Sequence, residues 1–173
     1  VVMRGEGKHF CAGLDPFLFQ EAIDRCSSVA EFASMSYRFF TAYAKLRNVK
    51  APILACLHGI VIGGGVAMAM TADWRVCSRA TRISAGILSR GLSFGFMLTR
   101  ALHRVLGMGK AFGMWLEQTE LWGEQAKEYG LVNDVAETRA EALERAMRLA
   151  KSIAACPEIG ANGTLKNMRD PYN

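Results

Sequence analysis

The chain has 173 residues, of which 51% are apolar, and this composition is sufficient to bury one hydrophobic core. We therefore expect a single domain over residues 1–173. The longest apolar stretch, residues 60–70, contains three glycines and is too short to cross a bilayer, which excludes a membrane partner. The net charge of +5 comes from basic residues dispersed among acidic ones, a pattern that indicates an ordinary solvated surface and no nucleic-acid partner.

The first half of the chain predicts several strands and two capped helices. After an opening strand, Asp15 and Pro16 have the types found at a helix start. Ser28 and Glu31 form a capping box for a helix over residues 29–48. One face of that helix is apolar and carries Phe32, Met35, Phe39, Tyr43 and Leu46. The pattern then predicts a strand over 53–57, a turn over 59–65, a helix over 66–72, and strands over 74–78 and 82–84.

The second half predicts mainly helices, over residues 97–106, 110–118 and 124–129, with a short strand over 131–135. Thr138 and Glu141 form a second capping box, which opens a helix over 139–155. Strands followed by helices predict an α/β domain of repeated strand–strand–helix units that ends in a helical region. Because the chain starts within a strand and stops just after a helix, we expect this domain to be truncated at both ends.

The cysteines and histidines predict neither a disulfide framework nor a metal site. The five cysteines form an odd set without a C-x-x-C pair, and the three histidines share no ligand spacing with them. We therefore expect no metal and an intracellular, reducing compartment, either the cytoplasm or an organelle matrix. His9 borders the first loop and is the histidine best placed to face a ligand.

Three glycine-containing segments invite alternative interpretations. Residues 107–110 end like a phosphate loop, but Ala111 stands where a Ser or Thr should hold magnesium. Residues 59–65 lack the G-x-G-x-x-G spacing of a dinucleotide site. Residues 91–95 match the G-x-S-x-G motif around Ser93, but a serine hydrolase needs a later acid and then a later histidine. Only His103 follows, so the hydrolase at Ser93 stays a weaker alternative.

Two separated segments carry a more specific signal. The first, which we call the first loop, is G-K-H-F-C-A-G-L-D over residues 7–15. The second is A-P-I-L-A-C-L-H-G over residues 51–59, which continues to G-G-G over residues 63–65, the glycine segment. A third segment, A-x-x-x-G-L-V, covers residues 126–132. Together and in this order they resemble the enoyl-CoA hydratase/isomerase (crotonase) superfamily over essentially the whole chain.

The resemblance implies a crotonase-like spiral that holds an acyl thioester in an oxyanion hole. By this resemblance the two hydrogen-bond donors are the backbone amides of Leu14 and Gly64, and each such donor is worth roughly 10²–10³ in rate. Lys8 is the expected contact to the cofactor portion of the substrate. The positions expected to border the substrate are Ala12, Asp15, Ile62, Gly65, Ala67, Ala85, Gly86, Ser89 and Phe94.

The chain departs from the family at the positions of its acid/base residues. Hydratases of this family carry two catalytic glutamates, and in register these positions are Ala67 and Gly86. A further acidic position, used by some isomerases, falls near Phe94. The resemblance therefore implies an enolate-stabilising decarboxylase, isomerase or lyase of fatty acid or polyketide metabolism, with a non-catalytic acyl-CoA-binding or scaffold domain as the alternative. The polar candidates near the acyl group are Ser84, Ser89, Arg90 and Ser93.

The resemblance also implies the substrate carrier and the assembly. No cofactor is expected to be bound permanently, because CoA or phosphopantetheine arrives as part of the substrate. Family members commonly form trimers or hexamers, and the helical second half carries apolar side chains suited to such contacts, among them Met97, Phe112, Met114 and Trp115. We therefore expect a homotrimer or hexamer.

Overall fold

Short strands alternate with helices along the chain. The computed structural model describes residues 1–86, 88 and 97–169, without the side chains of residues 39, 40 and 97–100. The strands are β1 Val2–Arg4, β2 Leu54–Leu57, β3 Ile60–Ile62, β4 Trp74–Ser78, β5 Arg82–Ser84, β6 Glu120–Trp122 and β7 Asp134–Ala136. The helices are α1 Pro16–Asp24, α2 Val29–Leu46, α3 Gly64–Met70, α4 Met97–Leu106, α5 Met108–Leu116, α6 Gly123–Tyr129, α7 Arg139–Ala154 and α8 Glu158–Arg169.

The strands form two sheets, and between β2 and β5 each successive strand lies in the other sheet. The first sheet is parallel, in the order β1-β2-β4-β7, and the second has the order β3-β5-β6. In the second sheet β3 and β5 are parallel, whereas β5 and β6 are antiparallel. The pairs β2–β3 and β4–β5 each place one strand in each sheet. This arrangement confirms the predicted spiral of strand–strand–helix units.

The core lies between these sheets and the helices that follow them. All four residues of β2 are buried, and β4 is buried after its first residue. Such continuous apolar runs are typical of parallel strands covered on both faces. The helices α3, α4, α5 and α6 add buried side chains to the same cluster, including Val66, Leu102, Met114 and Ala126. Met114 therefore belongs to the core, and the expectation that it lies on an assembly surface was wrong.

The predicted helix starts at Asp15, Ser28 and Thr138 are confirmed. The Asp15 carboxylate accepts hydrogen bonds from the amides of Phe17 and Leu18 at the start of α1. Ser28 and Thr138 accept from the amides three residues later in α2 and α7. These side chains satisfy amides that have no partner within their own helix.

The segment predicted as one turn over residues 59–65 contains strand β3. The β-branched residues Ile60–Ile62 pair with β5, and Val61 is fully buried. Helix α3 also begins at Gly64, two residues earlier than predicted, since Gly63 at φ 53° makes the turn by itself. In the sequence, the glycines favoured a turn over a strand at residues 60–62. Pairing with β5 nevertheless gives these residues the strand conformation.

Two differences occur near the end of the chain. The strand predicted over 131–135 starts at Asp134, because the amides of Leu131 and Val132 both donate to the Ala126 carbonyl and close helix α6. The sequence pattern also missed β6, three residues long, which pairs with β5 through Leu121 opposite Ile83. A strand this short acquires its conformation from its neighbour in the sheet.

A cluster around Asp73 joins α8 to the rest of the fold. The Asp73 carboxylate accepts from the Ile53 amide at 2.7 Å and from the Arg169 guanidinium at 2.8 Å. Burial alone would raise the pKa of the Asp73 carboxyl, but these hydrogen bonds hold it below its ordinary value. Arg169 also donates to the carbonyls of Arg47 and Ala51. Asp73 therefore has a structural role.

Within the described ranges, no helix is both long and apolar enough to cross a membrane.

Candidate active site

The first loop lies alongside β3, and this contact brings the two motif segments together. The Phe10 amide donates to the His58 carbonyl at 2.8 Å, and the Cys11 amide donates to the Ile60 carbonyl at 3.3 Å. The Ile62 amide returns a hydrogen bond to the Cys11 carbonyl at 3.1 Å. Cys11 thereby forms a parallel bridge to Val61 and extends the second sheet. Segments about 50 residues apart in sequence become neighbours through backbone hydrogen bonds.

The glycines in these segments allow the close approach. A methyl group on Gly65 would lie 2.3 Å from the Cys11 carbonyl oxygen, which is closer than any real contact. A methyl group on Gly13 would lie 3.1 Å from the Ile62 carbonyl oxygen, and Gly13 also has a φ of +95°. The glycine segment and the first loop therefore pack backbone against backbone, with no room for side chains between them.

The amides of Leu14 and Gly64 are the donors predicted for the oxyanion hole. Leu14 directly follows Gly13, and Gly64 is the first residue of α3. Among the described residues, no hydrogen bond is donated by either amide. The first amides of a helix have no partner within that helix, so the Gly64 amide and the Leu14 amide in the adjoining loop are suited to bind an acceptor from a ligand.

The predicted contact residues of the first loop are largely exposed. Lys8, Ala12 and Asp15 are exposed, and the Leu14 side chain is 42% exposed. The carboxylate of Asp15 caps α1, so its side chain serves the helix start. Ile62 is half-buried against Gly13 and Gly86.

The positions expected to carry the acid/base pair are occupied by two small residues in closely packed surroundings. Ala67 is 1% exposed and lies in the core, and Ala85 is similarly buried at 2%. Gly86 has a φ of +58°, and a methyl group there would lie 2.6 Å from the Cγ2 atom of Ile62. In addition, the sequence contains no acidic residue between Asp73 and Glu117. The loop that follows β5 therefore supplies no carboxylate in any register.

Several predicted residues fall beyond the described ranges. Ser89, Arg90, Ser93 and Phe94 lie outside them, and with them the G-x-S-x-G motif. Ser84 is described, and it is buried at the end of β5. In the part of the chain that the structure describes, no group of three or more His, Cys, Asp or Glu residues could hold a metal ion.

His9 and His58 support the first loop. His9, the histidine best placed by sequence to face a ligand, accepts the Ile60 amide through Nδ1 at 3.1 Å. His58 is 3% exposed and contacts the Gly7 carbonyl through Nε2 at 3.3 Å. Burial, together with the charge of Arg139, lowers the pKa of the His58 imidazole. Both rings therefore help to hold the first loop beside β3.

Tyr43 is a neighbour of the site that the sequence pattern did not identify. Its hydroxyl oxygen lies 3.4 Å from the position that a methyl group on Gly64 would occupy. The residue is half-buried and lies near the end of α2. Sequence spacing placed Tyr43 on the apolar face of its helix. Such spacing cannot show that one residue of the face lies next to a glycine 21 residues later.

The chain resembles known proteins along nearly its whole length. The profile of the enoyl-CoA hydratase/isomerase family matches residues 1–172. The Bacillus subtilis (strain 168) protein named "Probable enoyl-CoA hydratase" is 30% identical over 156 residues, which are 89% of this chain and 58% of that protein. The fatty acid oxidation complex subunit alpha of Shewanella sp. (strain W3-18-1) is 31% identical over 137 residues, which are 78% of this chain and 19% of that protein.

Solved structures share the fold. DspI from Pseudomonas aeruginosa is 28% identical, with a TM-score of 0.84, and the match covers 95% of this chain and 61% of that one. An enoyl-CoA hydratase/isomerase from Cupriavidus metallidurans CH34 is 24% identical, with a TM-score of 0.87, and the match covers 97% and 62% of the two chains. This chain spans less than two thirds of the length of each of these relatives.

Proposed function

Because the chain belongs to the enoyl-CoA hydratase/isomerase family, we propose that it binds an acyl thioester and stabilises the enolate form of its acyl group. The supporting observation is the junction of the first loop with the glycine segment. There the amides of Leu14 and Gly64 make no hydrogen bond among the described residues. The thioester carbonyl oxygen would accept from both amides and take up negative charge as the enolate forms. Donors held in place for developing charge are commonly the largest single contribution to catalysis.

The acyl group would be carried by CoA or by the phosphopantetheine of a carrier protein, with no permanently bound cofactor. Lys8 is exposed on the first loop and is our proposed contact to the carrier portion. Its ammonium group suits a phosphate, since Lys binds phosphate as a point charge.

The proposed reaction forms its enolate by breaking a carbon–carbon bond rather than by moving protons for hydration. Ala67 and Gly86 carry no carboxylate, and the loop after β5 supplies none in any register. In a decarboxylation, the bond to the departing carboxylate breaks, CO₂ leaves, and the electron pair passes to the thioester oxygen. Water then protonates the enolate carbon. These steps need strong hydrogen-bond donors but no general base, which matches the residues present.

A non-catalytic acyl-CoA-binding or scaffold domain is the alternative, and the same absence of carboxylates favours it. Both functions need the Leu14 and Gly64 amides to bind the thioester, so binding alone does not separate them. Turnover separates them.

The apolar surface of α5 supports a trimer or hexamer as the proposed assembly. Phe112 is 47% exposed and Leu116 is 57% exposed, and Met108 at the start of the same helix is 57% exposed. Large apolar side chains exposed together on one helix are a common feature of subunit contacts.

The test compares Gly64→Pro with Gly64→Ala. Proline is tolerated at the first position of a helix and removes the amide N–H. Alanine keeps the N–H, and its methyl group would lie 3.4 Å from the Tyr43 hydroxyl, an ordinary contact distance. Binding to a panel of acyl-CoAs is measured by calorimetry and turnover by mass spectrometry, with circular dichroism to check the fold.

For an enzyme, we expect turnover by Gly64→Pro to be roughly 10²–10³-fold lower than by Gly64→Ala, because only the proline variant lacks one oxyanion donor. Saturable binding by the wild type without turnover of any acyl-CoA would assign the chain to the binding alternative. A wild type with no affinity for any CoA or carrier thioester would contradict both functions.

A further inference from the structure

The hydroxyl of Tyr43 adjoins the meeting point of the two site segments. Its oxygen lies 3.4 Å from the methyl position of Gly64. Burial, and to a smaller extent Cys11 of the first loop, raises the pKa of this phenol. Helix α2 thus brings a half-buried hydroxyl next to the glycine segment.

The spacing allows Tyr43 and the Gly64 amide to share one acceptor. An oxygen bound to the Gly64 amide lies about 2.9 Å from that nitrogen, and a hydroxyl reaches an acceptor at about 2.7 Å. The Tyr43 oxygen lies 3.4 Å from the methyl position of Gly64, which is bonded to the same Cα atom as the amide nitrogen. A single carbonyl oxygen between them can therefore accept from both.

The protonation state of Tyr43 suits a donor. Burial, with a further contribution from Cys11, raises the pKa of the Tyr43 phenol above its ordinary value of 10. The phenol is therefore neutral throughout the physiological range and carries its proton. A neutral phenol donates a hydrogen bond well but is a poor base.

We propose that the Tyr43 hydroxyl donates a hydrogen bond to the same thioester carbonyl oxygen that the Gly64 amide binds, and is a third donor of the site. The inference rests on the proposed thioester function and adds a side chain to a site otherwise made of backbone amides. This role also fits the proposed reaction, in which negative charge develops on the thioester oxygen. The hydroxyl would stabilise the enolate without abstracting a proton.

The test uses cinnamoyl-CoA, whose absorption moves to longer wavelength when its carbonyl oxygen receives hydrogen bonds. Wild type, Tyr43→Phe and Tyr37→Phe are titrated with this probe, and both Kd and the absorption maximum are recorded. Tyr37 is on the same helix and is 56% exposed, so Tyr37→Phe is the matched control. Thermal unfolding of each variant is measured in parallel.

We expect Tyr43→Phe to reduce the absorption shift and raise Kd about 2- to 10-fold, the range for one hydrogen bond, while Tyr37→Phe behaves as wild type. A Tyr43→Phe variant that binds with the full shift would overturn the proposal, even if it is less stable, because a purely structural role affects stability alone. A wild type that fails to bind the probe, or binds it without any shift, would instead contradict the proposed thioester site itself.

Discussion

Two glycine-containing segments of this chain look alike in sequence but differ in their surroundings. The glycine segment, residues 63–65, joins β3 to α3, and Gly65 packs against the Cys11 carbonyl. Residues 107–109 lie where α4 ends and α5 begins, and a methyl group on Gly107 or Gly109 would meet no atom of the described residues within 4 Å. The first segment permits two parts of the chain to touch, whereas the second only redirects the backbone between helices.

This difference shows that glycine serves two separate physical purposes here. At Gly65 the neighbouring Cys11 carbonyl leaves no space for a side chain. At Gly107 it is a matter of backbone conformation, because φ 76° and ψ 161° form a combination that is essentially restricted to glycine. Gly109 serves neither purpose, because it lies inside α5 in open surroundings. Alanine at each of the three positions therefore tests the comparison directly.

The largest effect is expected for Gly65→Ala. The added methyl group would overlap the Cys11 carbonyl oxygen, which accepts the Ile62 amide in the link between the first loop and β3. Relief requires the two backbones to separate, so we expect a loss of about 3 kcal/mol in the free energy of unfolding. Urea denaturation measures this change. A loss below about 1 kcal/mol would show that the first loop is not held against the glycine segment.

An intermediate effect is expected for Gly107→Ala. The methyl group meets no neighbour, so the cost is only that of holding alanine in a glycine conformation, about 1–3 kcal/mol. The same urea titration reports it, and acyl-CoA binding should be unchanged because the added methyl group contacts neither site segment. Loss of binding in a folded Gly107→Ala protein would mean that residues 107–109 contribute to the site after all.

The smallest effect, and of opposite sign, is expected for Gly109→Ala. Alanine restricts the unfolded chain and favours a helix, and it meets nothing in the folded one, so we expect a gain of about 0.5–1 kcal/mol. Thermal unfolding should show a higher Tm. Destabilisation would indicate that another surface covers this face of α5 in solution.

The sequence predicted the elements whose signals are local. Asp15, Ser28 and Thr138 begin helices as expected, because a capping residue acts on amides two or three positions away. It was less accurate for β3 and β6, three residues each, because strands this short depend on the partner with which they pair. The sequence also did not reveal that His9 accepts the Ile60 amide, because this contact spans 51 residues.

The sequence alone was sufficient to predict the family pattern and the α/β spiral. It also shows that no acidic residue lies between Asp73 and Glu117. Each of these depends only on the order of residue types along the chain. Only the tertiary structure showed that Cys11 pairs with Val61, that Gly65 has no space for a methyl group, and that Tyr43 adjoins Gly64. These facts depend on how distant segments approach one another, and that approach is decided by packing and hydrogen bonding across the whole fold. The two proposed amide donors therefore have a sequence signature, whereas the proposed tyrosine donor has none.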